Sequence, residues 1–171
     1  MHGANYRTGN GQPYTRKEYI KGKPQIKIAK FSGGKRDNYD YCVQLCSNEK
    51  MQIRHMAIES ARLSANKKIE QVAGETGYFS QLRVYPHILL RENKMIATAG
   101  ADRLQEGMRG AFGKAVSLAA RVDKGQVIME AFVKKEHLEF AKKALHGACV
   151  KLPITPTIKV IKITPIKPVS A

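Results

Sequence analysis

From Ile53 onward the apolar residues Ile53, Met56, Ala57, Ala61, Ala65, Ile69 and Val72 recur at helical spacing, and Gly74 is a fitting stop. A helix with one apolar stripe must bury that stripe against a second layer. Its start is expected at Ser47, a good N-cap, with Glu49 in the first turn where the helix dipole favours an acid. The opposite side carries Lys50, Arg54, Arg62, Lys67 and Lys68, so the helix is expected to have a core face and a basic face.

The remaining pattern supplies strands for that layer. Tyr41–Cys46, Tyr78–Tyr85 and His87–Leu90 read as strands, with Pro86 interrupting between the last two. After a turn at Glu92-Asn93-Lys94, Met95–Thr98 continues as a strand. Val116–Val122 and Gln126–Val133, joined by Asp123-Lys124-Gly125, form the clearest hairpin pattern in the chain. Pro24–Ala29 alternates and suggests one short strand. Ile158–Ile163 alternates as well and suggests an edge strand leading into a basic tail. Lys135–His146 is a second helix, with Leu138, Ala141 and Leu145 inward and Gly147 closing it. There is no internal repeat. Strands dominate beside two main helices, which predicts an α+β class with mostly antiparallel strands.

The ends differ in composition from the middle. Residues 1–36 hold nine Lys or Arg and a single acid, Glu18, and read as a basic extension. Residues 37–150 hold the predicted elements and form the domain, interrupted by a loop at 99–114. Gly100, Gly107, Gly110 and Gly113 make that stretch too glycine-rich for a stable element. Residues 151–171 carry four prolines, four lysines and no acid. Over the whole chain 30 Lys and Arg face 14 Asp and Glu, a net charge of +16. Self-repulsion on that scale points to a polyanionic partner, and nucleic acid is the commonest one. No apolar run is long enough for a membrane span, and the first residues lack a signal-peptide pattern. Three cysteines without secretory context suggest a reducing, intracellular setting.

The chemistry-bearing residues form no catalytic set. Cys42 and Cys46 share one strand face without a second ligand pair, since only Cys149 remains, so they read as small core residues. His2, His55, His87, His137 and His146 are scattered without metal-ligand spacing. A phosphate-binding loop ending at Gly113-Lys114 fails twice, with Met108 where Gly is required and Ala115 where a hydroxyl is required. Asp102 and Glu106 sit four apart, but they are interleaved with Arg103 and Arg109 in a loop with no pocket to split their pKa values. An enzyme, a metal and a cofactor are therefore not expected. Tyr6, Tyr14, Tyr19, Phe31, Tyr39 and Tyr41 are interleaved with the N-terminal cations. They either stack on bases or pack the extension onto the domain. Six cations engaging RNA would set a slope of log K against log salt of about −4. No helix-turn-helix or zinc-finger pattern marks a DNA reader.

One string is specific. Ala99-Gly100-Ala101-Asp102-Arg103-Leu104-Gln105-Glu106-Gly107-Met108-Arg109-Gly110-Ala111-Phe112-Gly113-Lys114 closely resembles the central loop of the archaeal and eukaryotic large-subunit ribosomal protein family L-ten-e, counterpart of bacterial L-sixteen. Asn5-Tyr6-Arg7, Tyr14–Tyr19, Pro24–Ile28, Glu59–Lys67, His87–Lys94 and Gly125–Met129 agree in order, so the resemblance spans about residues 3–150. It implies an α/β-hammerhead-type single domain that binds large-subunit rRNA near 5S rRNA and the A-site and P-site tRNA. It also implies a cytoplasmic location in the large ribosomal subunit among neighbouring ribosomal proteins, with no membrane, DNA or obligate homo-oligomer. The candidate rRNA contacts are Arg7, Arg16, Lys17, Lys21, Lys23, Lys35, Arg36, Arg54, Arg62, Lys67 and Lys68. In the family the central loop reaches toward the peptidyl-transferase centre. Carried over, Arg103, Gly107, Met108, Arg109, Gly110 and Lys114 are the loop residues expected to meet tRNA or rRNA. Residues 151–171 match no pattern of the family.

Overall fold

The computed structural model describes residues 2–11, 20–94 and 107–163. Among these residues eight strands and two main helices follow in chain order: β1 Ser32–Gly34, β2 Tyr41–Ser47, β3 Met51–Arg54, α1 His55–Ala73, β4 Tyr78–Leu82, β5 Ile88–Glu92, β6 Lys114–Val122, β7 Val127–Val133, α2 Leu138–Cys149 and β8 Pro156–Lys162. Five strands form one antiparallel sheet in the order β1-β4-β7-β2-β8. The other three form a second antiparallel sheet in the order β3-β6-β5. The α+β class, two main helices and antiparallel strands agree with the sequence reading.

Directly opposed residues of an antiparallel pair share a face. The register therefore places Val43, Leu45, Met129, Ala131, Val133, Tyr78 and Leu82 together on one face of the larger sheet. All seven are buried, in one core cluster with Ile58, Ala61, Ala65 and Ile69 of α1 and Ala141, Ala144, Leu145 and Ala148 of α2. Met51, Ile53, Ala120 and Val122 of the smaller sheet join the same cluster. The two helices lie against each other through these small residues. At Gly147 an added Cβ would meet the outer part of the exposed Lys68 side chain of α1. Gly147 is not the expected stop: it lies inside α2, which continues to Cys149.

The predicted hairpin does not form. β6 is the middle strand of the small sheet, whereas β7 lies between β4 and β2 in the large one. The turn between them is real: the Gln126 N–H donates to the Asp123 carbonyl at 3.1 Å, and the Gly125 N–H donates to the Ser47 carbonyl at 2.6 Å. That turn carries the chain from one sheet to the other. A turn signal fixes the chain reversal but not which strands then pair, and here β2 and β4 win β7.

The start of α1 also differs. Ser47 is fully buried at the end of β2, and its hydroxyl donates to the Glu49 carbonyl at 2.7 Å. Residues 48–50 turn into β3, whose residues alternate between buried and half-buried. Only at His55 does the helix begin, with Gly74 at φ +69° closing it as expected. Ile53 therefore belongs to a strand. Met56 and Val72 face outward, and the inward stripe is Ile58, Ala61, Ala65 and Ile69. Lys50 and Arg54 precede the helix, so its basic side is shorter than expected.

Pro24–Ala29 pairs with no strand, although Ile28 is buried in the core. The pairing partner in that region is instead β1, an edge strand inside the stretch read as an extension. At Gly34, φ is +77°, and a Cβ would run into the Tyr78 carbonyl oxygen, so this edge accepts only glycine there. The strand expected at Tyr78–Tyr85 stops at Leu82, and β5 runs through Glu92, where a turn is expected. β8 is the opposite edge strand, as its alternation suggested. Met95–Thr98 lies outside the described residues, as does the first half of the glycine-rich stretch, residues 99–106. Its described part makes a 3-10 turn at Gly107–Gly110, and Lys114 opens β6. No described helix is long and apolar enough to cross a membrane.

Candidate nucleic-acid interface

The N-terminal residues are held on the smaller sheet by its side chains. The Gln52 N–H donates to the Arg7 carbonyl at 2.9 Å, and its side-chain amide donates to the carbonyls of Tyr6 and Thr8. The Arg121 guanidinium donates to the carbonyls of Gly9 and Gly11. These bonds fix the backbone and leave the Arg7 side chain exposed. Arg54 lies 5.8 Å from the Tyr6 ring centroid, so this tyrosine packs the N-terminal segment onto the domain. Tyr39 is buried and donates to the Lys35 carbonyl, a second tyrosine used for packing.

The described second half of the glycine-rich stretch is held by residues at the end of β5. The Arg91 guanidinium lies 3.9 Å from the Phe112 ring centroid and donates to the Phe112 carbonyl at 3.1 Å. The Asn93 side chain donates to the Gly107 carbonyl at 3.2 Å. Between residues 20–24 and 112–115 a cleft of about 530 Å³ opens, with Lys21, Lys23 and Lys114 on its walls. Met108 is 86% exposed, and Gly107 and Arg109 are exposed beside it, with Gly110 half-buried.

The other candidates scatter. Lys35 and Arg36 are exposed next to β1, with the Arg36 guanidinium 5.2 Å from the Phe79 ring centroid. Lys67 and Lys68 are exposed on α1. Arg62 is different: it is buried, and its Nε and Nη2 donate to the two Glu59 oxygens at 2.9 and 2.6 Å. The hydrogen bond from Arg62 holds the Glu59 carboxyl below its usual range despite burial, and the same bond raises Arg62. This guanidinium is committed to the fold. Arg16, Lys17 and Arg103 lie outside the described residues. Arg91 and Arg121 do not stand out in the sequence, because a lone cation within a strand pattern carries no signal of what it will grip.

The interior holds little chemistry. Cys42 and Cys46 are buried, and burial, with the Glu130 charge, pushes the Cys42 thiol up to about 11. His55 and Ser117 form a buried pair, Nε2 to Oγ 3.4 Å. The other ring nitrogen, Nδ1, accepts the Lys27 N–H at 3.3 Å, so the proton sits on Nε2 and points at the serine. A ring in that tautomer cannot take a proton from the hydroxyl. Burial, then the Arg54 and Lys27 charges, lowers the His55 pKa. No cluster of three or more metal-ligating side chains occurs among the described residues.

Fold and surface together define a cationic α+β protein whose polar interior groups serve packing and whose free charge lies outside. A family model described as "Ribosomal protein L16p/L10e" matches residues 10–159, so residues 151–159 belong to the family pattern that the sequence reading ended at about residue 150. The large ribosomal subunit protein uL16 of Hyperthermus butylicus is 55% identical over 153 residues, covering 89% of this chain and 85% of that protein. Its namesake from Staphylothermus marinus is 54% identical over 160 residues, with 93% and 90% covered. That of Saccharolobus islandicus is 50% identical over 165 residues, with 95% and 93% covered. This chain belongs to the L16p/L10e ribosomal protein family. It is a structural ribosomal component and not an enzyme.

Proposed function

We propose that the chain works in the large ribosomal subunit by binding large-subunit rRNA near 5S rRNA and the A-site and P-site tRNA. Residues 99–114 would then extend toward the peptidyl-transferase centre, and neighbouring ribosomal proteins would complete its surroundings. The observation that carries this reading is the exposure of Arg7, Lys21, Lys23, Lys35, Arg36, Lys67, Lys68, Arg109 and Lys114 on a chain of net charge +16. Arg16, Lys17, Arg54 and Arg103 extend the proposed contact set. Arg62 is left out because Glu59 neutralises it. Exposed cations release counterions when they meet phosphate, and backbone held by Gln52 and Arg121 presents Arg7 at a fixed position. Gly107, Met108 and Gly110 are the proposed uncharged contacts of the central segment.

Hydroxyl-radical footprinting from single-cysteine probes on assembled subunits tests the placement. Probes at residue 23 or 108 should cut large-subunit rRNA around the tRNA sites. Cuts confined to rRNA remote from both tRNA sites would refute it.

A further inference from the structure

The cleft between residues 20–24 and 112–115 combines three features that a plain basic surface lacks. Its walls bring Lys21 and Lys23 from the N-terminal segment to Lys114 at the start of β6, and none of its lining residues among the described ones is acidic. Phe112 lines it and remains 43% exposed, although the Arg91 guanidinium already sits 3.9 Å from its ring centroid. At about 530 Å³ it has room for one nucleotide with its phosphate.

We infer that this cleft is a nucleotide clamp: one RNA residue enters it, its phosphate among Lys21, Lys23 and Lys114, its base against Phe112. The inference rests on the rRNA-binding reading above and deepens it. An arginine covering one ring face leaves the other for a base, and the guanidinium itself strengthens stacking through its charge. Arg91 is a positioning residue. Its bond to the Phe112 carbonyl holds the ring at the cleft wall, and its register in β5, opposite Ala115, fixes where the guanidinium starts. The clamp would join the N-terminal segment to the foot of the central segment through a single RNA strand. An acidic peptide satisfies the lysines but offers no base to the ring, so the exposed aromatic favours RNA.

The purified full chain can be titrated with hexauridylate across a range of salt. K21A/K23A/K114A should lower the slope of log K against log salt by about 0.7, the share of the one phosphate that the three lysines hold. F112L should weaken hexauridylate roughly tenfold, the scale of one lost base stack, and leave binding of an inorganic polyphosphate unchanged. K124A/K143A/K151A, at exposed positions elsewhere, should leave the slope and the Phe112 dependence as in the parent. Thermal unfolding of the lysine variants should match the parent, since all the substituted lysines are exposed, and the Tm of F112L should fall by no more than a few degrees, the scale of its lost Arg91 contact. Equal slope losses in the two triple variants, or hexaglutamate competing as well as hexauridylate, would overturn the clamp while leaving RNA binding standing. Absence of any salt-dependent RNA binding by the parent chain would overturn both.

Discussion

Arg62 separates a cation that builds the fold from one that meets RNA, and its replacement by Met tests the difference. The Arg62 and Glu59 side chains are 10% and 15% exposed and joined by two hydrogen bonds. Removing one partner of a fully buried pair costs about 3–5 kcal/mol, because the other charge is left without water or a counter-charge. With slight solvent access on both sides, R62M should cost about 3 kcal/mol. Replacing both partners by apolar side chains of similar volume removes the two desolvation penalties together, so R62M/E59M should lie within about 1 kcal/mol of the parent. The single costs should therefore not add. Urea unfolding at pH 7 reads this as a midpoint lowered by about 1.5 M in R62M, taking a slope of about 2 kcal/mol per M. The acid side gives a second check. Glu59 is held below its usual range, so the pair's contribution is full above about pH 4.3 and is lost as pH falls through the depressed value. The gap between parent and R62M should then close in acid. After correction for the folded fraction, R62M should keep the parent's salt slope for RNA. A near-neutral R62M, or a slope lower by about 0.7, would show that Arg62 faces phosphate and the reasoning fails.

The remaining predictions concern the interior and one edge. His55 is held below its usual 6.5, so the unfolded chain protonates first and stability should decline as pH falls from about 6.5 toward the depressed value; H55Q should lack that decline in calorimetry. Cys42, raised to about 11 and buried, should resist iodoacetamide at pH 8 until urea unfolds the chain, and mass-spectrometric labelling of Cys42 within seconds in native buffer would contradict its placement. Gly34→Ala meets the Tyr78 carbonyl in left-handed backbone and should cost at least about 2 kcal/mol, a fall in Tm of roughly 5 °C.

Residues whose role is set by neighbours in sequence were legible. Cys42 and Cys46 read as core from strand alternation, and Gly74 read as a helix stop from the loss of periodicity around it. The β8 edge read correctly because apolar residues and lysines are interspersed from Ile158 to Ile163 in an acid-free segment. Where three-dimensional partners decide, the pattern fell short. Asp123–Gln126 is a genuine turn, yet whether its flanks pair with each other depends on β2 and β4, which lie far off in the chain. Met51 and Ile53 fit a two-residue repeat with each other and a helical repeat with Met56 and Ala57, so the sheet partner β6 decides that they are strand. Arg62 occupies a helical position that looks basic, and only Glu59 one turn earlier, together with burial, turns it inward. The cleft was half legible: Lys21, Lys23 and Lys114 stand out in the sequence as cations, but their meeting depends on how residues 20–24 fold back beside Phe112.

The proposed RNA contacts have a function only if this chain is part of the large ribosomal subunit. Quantitative mass spectrometry of subunits separated by sedimentation in high salt tests it directly. The expected result is one copy per large subunit and none on the small one. Recovery of the chain only as free protein, with large subunits lacking it, would contradict that claim.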